Sequence, residues 1–385
     1  MNQNTMKLLF PLLKYALDGT RLNDSERELC TEEAISDVIR VADKHDVAHI
    51  ICHALSESSL MPDNIAQNCQ SVVFKSIYRY QTQNYELERI KEILEHKKLP
   101  FIILKGSVLR KYYSSPWLRT SCDIDILVKR KDLSAAQEAI TKELGYEYKG
   151  NSSHDITLFS ESGVCFELHF ELNEPDFRQS QMLSDVWSSG DVLRLTEHEY
   201  AMSNELFLLF HIYHMAKHFI RGGCGIKPLI DLWIIKNKMG YDKEKAEALL
   251  KENDLYDFYV GVSNLADVWF SDKKHTHITK EIEEYILRGG VYGSLEQHLA
   301  MAHNKSGGKL KHLFRMIFLP YKSMLIYYPS LRKFPPLYPL YQVRRWLRII
   351  FRGASKRACI EVQLNNNLSA VRKEKAKILI NELGL

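Results

Sequence analysis

The sequence predicts an α+β fold: a short mixed β-sheet with helices, embedded between α-helical N- and C-terminal regions. Three observations predict it. Apolar residues recur at helical spacing through the first 98 residues, strand-like runs crowd into residues 99–175, and helical patterning returns beyond 175. The expected divisions are a helical region 1–98, a sheet-bearing core 99–175, a helical region 176–308 and a basic, aromatic region 309–385.

Each element has a local reason. "MNQNTMKLLFPLLKYALDG" reads as an amphipathic helix, because no basic stretch precedes its apolar patch and no small-residue cleavage signal follows. "EEAISDVIRVADKHDVAHIICHAL" and "NYELERIKEILEHKK" carry helical periods with charges along the outer face. Ile102, Ile103 and Leu104 form an apolar run that predicts a buried strand, and Gly106-Ser107 then opens a short helix whose N–H groups and Ser107 hydroxyl can face an anion such as phosphate. In "CDIDILV" strand alternation puts Asp123 and Asp125 on one face, roughly 7 Å apart, and Ile124 and Ile126 on the other. "KDLSAAQEAITKELG" predicts a helix ended by Gly145, followed by strands near "YEYKG" and "HDITLFS". "VCFELHFEL" alternates Phe166, Leu168 and Phe170 with Glu167, His169 and Glu171, which is a half-buried strand with acids on one face.

Taken alone, a DxD pair beside a strand reads as a solvated strand end. The acidic strand that follows changes that balance, since it offers a third carboxylate to the same place. Phosphoryl and nucleotidyl transfer ask little covalent chemistry of the protein; they need cations clamped by carboxylates from neighbouring strands. On the wording "LKGSVL", "RTSCDIDILV" and "FELHFEL", residues 99–175, about a fifth of the chain, resemble the DNA polymerase β-like nucleotidyltransferase superfamily, and within it the largely uncharacterised bacterial NTP_transf_5-type branch. The resemblance implies that Gly106 and Ser107 grip nucleotide phosphates, that Asp123 and Asp125 bind two Mg²⁺ ions (Mn²⁺ being the alternative), and that Glu167 completes the site. Glu171 shares the face of Glu167 and stands as the alternative third acid. Fifteen residues separate Ser107 from Asp123, which implies a long loop over the nucleotide. Lys105 and Arg119 flank the motif and are candidates to neutralise triphosphate charge, with a solvated or structural cation as the other reading of each. Cys122 reads as a small core residue.

The helix in "NELFLLFHIYHMAKHFIRGG" places His211, His214 and His218 on one face. A metal triad there lacks a fourth ligand and the HExxH pattern, so the face reads as structural or as a wall of the acceptor site. Relatives of that branch carry a similar helix, a glycine turn and an Asp-Leu pair, here Asp231-Leu232, which makes Asp231 a further acceptor-binding candidate.

Composition fits a globular enzyme: 385 residues, 45% hydrophobic and 26% charged. Seven cysteines at positions 30, 52, 69, 122, 165, 224 and 359 form no CxxC pair, which argues against a disulfide framework or zinc module and for a reducing, cytoplasmic setting. From Lys309 to Arg357 there are twelve Lys or Arg and no Asp or Glu, although the whole chain is only +4, so the remainder is net acidic. Ten aromatics interleave them, and "YQVRRWLRIIFRG" sets Arg344, Arg345, Arg348 and Arg352 against Trp346, Leu347, Ile350 and Phe351. Residues 309–357 could bind RNA, lie on an anionic membrane surface at its inner face, or wrap the acidic body of the chain itself. The expected activity is metal-dependent transfer of an NMP from an NTP, ATP among them, to an unidentified acceptor (small molecule, glycan precursor, RNA or protein) with release of pyrophosphate. The alternative is a non-catalytic binding protein that retains the fold.

Overall fold

The computed structural model describes residues 3–174, 177–178, 180–271, 273–291, 318, 321, 324, 328, 331, 334–351 and 370–385. They divide into two compact units: Met1–Ala216 with Ile226–Lys280, and Lys217–Gly225 with Glu281–Leu385.

The first unit opens with α1 Gln3–Asp18, α2 Asp24–Glu28, α3 Glu32–Lys44, α4 Ala48–Glu57 and the long α5 Asp63–His96. Leu8, Leu9, Leu12, Leu13 and Leu17 bury one side of α1, where Phe10 stacks 4.2 Å from Trp269. Ile35, Val38 and Ala42, three and four residues apart, bury the inner face of α3. Helix starts follow from their caps. The Asn23 side chain accepts from the Glu26 amide at 2.9 Å while the Asn23 amide donates to the Glu26 carboxylate, and the Thr31 hydroxyl accepts from the Ala34 amide.

The sheet comprises β1 Phe101–Ile103, β2 Asp123–Val128, β3 Glu147–Asn151, β4 Asp155–Phe159, β5 Cys165–His169, β6 Val192–Arg194 and β7 Glu199–Met202, in the order β3-β4-β5-β2-β1-β7-β6. It is mixed, as expected: β2 runs parallel to β5 and β1 parallel to β7, and the other neighbours are antiparallel. Strands β6 and β7, at one end of the sheet, come from a stretch expected to be mainly helical. They are three and four residues long, too short for alternation to show in the sequence. Between β1 and β2 lies the short α6 Lys105–Leu109, and α7 Leu133–Leu144 follows β2, ending at Gly145 with φ +74°, a left-handed conformation that suits glycine.

One face of the sheet is the core. Ile124, Ile126 and Val128 of β2 and Phe166 and Leu168 of β5 pack with Leu87, Ile90 and Leu94 of α5 and Ala136 and Ile140 of α7. Each of these side chains other than Ala136 contributes roughly 1.5–3 kcal/mol when removed from water. Alternation then leaves Asp123, Asp125 and Glu167 on the opposite face. Cys122 is a correction: it is exposed rather than in the core, because β2 starts at Asp123 and the strand alternation that would have turned Cys122 inward does not reach it.

Six more helices continue the chain: α8 Gln181–Ser184, α9 Asn204–Ile220, α10 Lys227–Ile234, α11 Lys243–Glu252, α12 Tyr256–Phe270 and α13 His277–Gly289. In the second unit α14 Tyr338–Phe351 realises the amphipathic arginine segment, with Arg344 6.0 Å from the rings of both Tyr328 and Tyr341. Most of residues 309–333, and Arg352 to Arg357, lie outside the described residues, as does the Arg348 side chain. Among the described residues no helix is long and apolar enough to cross a membrane.

Because Ile126 is fully buried between α5 and α7, Ile126→Ala is expected to cost about 2–5 kcal/mol through lost burial and an unfilled cavity. Urea unfolding followed by circular dichroism checks it; a cost below about 1 kcal/mol would show that the face is not close-packed.

Candidate active site

The register of β2 on β5 builds the centre. Asp125 lies directly opposite Glu167, and Asp123 opposite Cys165, so the three acids share one face over two adjacent strands. Asp125 is 3% exposed. Its Oδ1 accepts from the Lys105 ammonium at 2.8 Å and lies 2.8 Å from His169 Nε2, which is also 3.4 Å from Glu167. His169 is two residues beyond Glu167 on the same strand face, a spacing visible in the sequence although no role was drawn from it.

Lys105 reaches Asp125 from a strained position. Its φ is +46°, a region that residues bearing a Cβ seldom enter. The turn is held because the Leu104 amide donates to the Asp125 carbonyl at 3.0 Å, which fixes the end of β1 against β2. Gly106 follows, buried, and a Cβ there would stand 3.1 Å from Arg119 Nη1, so glycine lets the guanidinium lie against the backbone. Ser107 is half-buried, and among the described residues its hydroxyl makes no hydrogen bond.

Arg119 is itself pinned. Its Nε donates to Asp231 Oδ1 at 2.7 Å and Oδ2 at 3.0 Å, its Nη1 donates to the Thr120 carbonyl, and the Tyr113 hydroxyl donates to Asp231 at 2.6 Å. Asp231, on α10, is only 1% exposed. His211 Nε2 is 3.0 Å from the Pro228 carbonyl, and His214 lies beside Phe210. His218 belongs to the second unit. Thus Gly106, Lys105, Arg119 and the acids are brought together, while Asp231 backs Arg119. Glu171 lies past the end of β5: its carboxylate accepts from the Leu172 and Asn173 amides at 3.2 Å, with Arg130 3.8 Å away.

Electrostatics divide the acids. The charge of Asp125, followed by burial and Glu167, pushes the Asp123 carboxyl up to about 6 against the pull of Lys105 and Arg119. Burial alone would raise Asp125, but Lys105 and His169 outweigh it and hold that carboxyl well below its usual range. His169 is raised: burial opposes its charge, and its bonds to Asp125 and Glu167 win. The groups of described residues able to hold an ion are Asp125, Glu167 and His169 on one side, and His154, Asp155 and His169 on the other.

The model of a family described as "Uncharacterised nucleotidyltransferase" matches residues 31–271, more than half of the chain. The chain belongs to that nucleotidyltransferase family. The match spans the acids, Gly106-Ser107, Arg119 and Asp231 alike, so the α+β core and the helices from α3 to α12 fall within the family's range, while α1 and α2 precede it. No curated protein matches the chain in sequence. Among solved structures, the antibiotic-resistance factor ANT(2'')-Ia overlaps 44% of this chain and 90% of its own, at 16% identity and a TM-score of 0.33.

The raised Asp123 carboxyl gives a signed expectation for stability. In the folded state it holds its proton up to about pH 6, whereas unfolded it would lose it near 3.8, so its ionisation destabilises the fold fully above pH 6 and not at all below about 4. Asp123→Asn should therefore raise stability at pH 7 by on the order of 1–3 kcal/mol, with the gain fading as pH falls towards 4. Denaturant midpoints measured across that range decide it; a variant less stable than the parent at pH 7 contradicts the repulsion.

Proposed function

We propose that the chain transfers a nucleoside monophosphate from an NTP to an acceptor hydroxyl or phosphate and releases pyrophosphate. The observation that carries this reading is the Asp125–Glu167 register, which sets three carboxylates on one face beside the turn of Gly106 and Ser107.

The donor set fits hard divalent cations. Carboxylate oxygens predominate, and the acids already draw a cation, since the Lys105 ammonium rests on Asp125. Asp123, Asp125 and Glu167 would hold two Mg²⁺ ions, or Mn²⁺ in their place. When bound, such ions neutralise triphosphate oxygens and the charge that develops on the leaving group.

The protein's own groups do the rest. The backbone at Gly106 and the Ser107 hydroxyl hold the β- and γ-phosphates, and Lys105 turns from Asp125 to a phosphate oxygen when nucleotide arrives. Arg119 places its charge behind Gly106 and is kept there by Asp231, so Asp231 serves as a positioning residue in this reading. Glu167 takes the proton of the acceptor as its oxygen forms a bond to the α-phosphorus, while the bond from that phosphorus to the bridging oxygen breaks and its electron pair leaves with pyrophosphate. Glu167 is chosen over Glu171 because it stands in register with Asp125, whereas Glu171 caps the turn that follows. His211, His214 and His218 remain candidates for the acceptor side, and the basic 309–357 segment for docking to RNA or an anionic membrane.

Incubating the full chain with each labelled NTP, ATP first, plus Mg²⁺ and cell extract should transfer label to a macromolecule or metabolite. Asp123→Asn should lower turnover by at least about 10². Glu167→Gln should lower turnover more than NTP affinity, and Glu171→Gln should change neither appreciably. Equal NTP affinity by calorimetry with Mg²⁺ and with chelator would remove the enzyme reading and leave a binding protein that retained the fold.

A further inference from the structure

Behind the acids, on the neighbouring strand pair, lies a second group of metal-ligating side chains. Asp155 on β4 is in register with His169 on β5, and His154 precedes Asp155. One donor atom from each of His154, Asp155 and His169 lies within 4.8 Å of the others. His154 Nε2 is 3.0 Å from Asp155 Oδ2 and 3.5 Å from Glu174 Oε1, and the two imidazole rings are 5.9 Å apart. A tetrahedral zinc shell with bonds of about 2.0–2.2 Å has ligand–ligand edges of about 3.3–3.6 Å, so His154 and Asp155 stand close to coordination spacing and His169 within a small adjustment of it. Asp155, His169 and Glu174 are all buried, which removes most competing water.

The surroundings of these side chains also match what a metal-binding imidazole needs. His169 spends Nε2 on Asp125 and Glu167, and among the described residues Nδ1 makes no hydrogen bond. An imidazole bound to metal through one nitrogen commonly donates the other N–H to a carboxylate, which fixes its ring and tautomer. The Ser152 hydroxyl lies 2.8 Å from Asp155 Oδ2 and 3.1 Å from His154 Nδ1, so it braces two of the three donors from behind. Two imidazoles with carboxylates suit zinc or a similar transition metal better than Mg²⁺, which prefers an all-oxygen octahedron.

We propose that His154, Asp155 and His169 form a three-ligand site for a zinc-type divalent cation distinct from the acid pair. The ion binds Nδ1 of His169 and thereby fixes the N–H that holds Asp125. The site is thus a support for the reactive carboxylate, and its occupancy does not depend on whether the chain transfers nucleotides.

The experiment uses the full chain, freed of metal with chelator and titrated with Co²⁺ in the absence of nucleotide. Visible d–d absorption should saturate near about one equivalent and be bleached by Zn²⁺. His154→Gln with Asp155→Asn should weaken the site by about 10²-fold, and Ser152→Ala by about tenfold. Asp123→Asn, which alters only the acid pair, should leave the titration unchanged. No absorption in the parent, an undiminished signal in the double variant, or a signal lost with Asp123→Asn would each overturn the proposal. Should circular dichroism show the double variant unfolded, Ser152→Ala decides: weakened Co²⁺ uptake supports the site and unchanged uptake removes it.

Discussion

The parallel pairing of β2 with β5 places Asp123, Asp125 and Glu167 side by side, and the repulsion among these carboxylates is the constraint that their neighbours answer. At roughly 7 Å and an effective dielectric constant of about 20, two like charges repel by on the order of 2 kcal/mol. The fold accepts that cost because the same alternation that exposes the acids buries Ile124, Ile126, Phe166 and Leu168 on the other face. A one-residue slip of either strand would turn the apolar set outward, so the register that packs the core also assembles the site.

The repulsion is met unequally. Asp125 receives Lys105 and His169 and stays ionised, while Asp123 has weaker compensation and its carboxyl is pushed up to about 6. Lys105 can reach Asp125 because the chain turns through a left-handed conformation directly after β1, and strain of that kind persists only where the surrounding structure holds it, here the Leu104 amide on the Asp125 carbonyl and the Lys105 ammonium on the Asp125 carboxylate. Three acids facing one ammonium and one imidazole leave a negative site, which is the field that an incoming cation would need.

Arg119 connects this site to α10. Its guanidinium, buried against Gly106, would be costly without a partner, and Asp231 supplies one with Tyr113 sharing the carboxylate. Two residues 112 positions apart in the chain therefore act as one unit. The family match includes both residues.

The sequence by itself determined the α+β class, the strands bearing Asp123, Asp125 and Glu167, and the glycine turn before them, because period-two alternation and turn chemistry are local properties that a short window displays. It also displayed His169 on the acid face. What it left open depended on pairing. Whether Glu167 or Glu171 meets Asp125 is a matter of which residues fall in register across β2 and β5, and alternation alone puts both on the same face. Asp231 reads from the sequence as an acceptor-binding candidate, and the fold sets its carboxylate against Arg119; nothing local to "HDITLFS" shows that antiparallel pairing brings Asp155, with His154 before it, to His169. Such contacts join segments that are remote in the chain, so only the tertiary structure, through strand register and helix packing, could decide them.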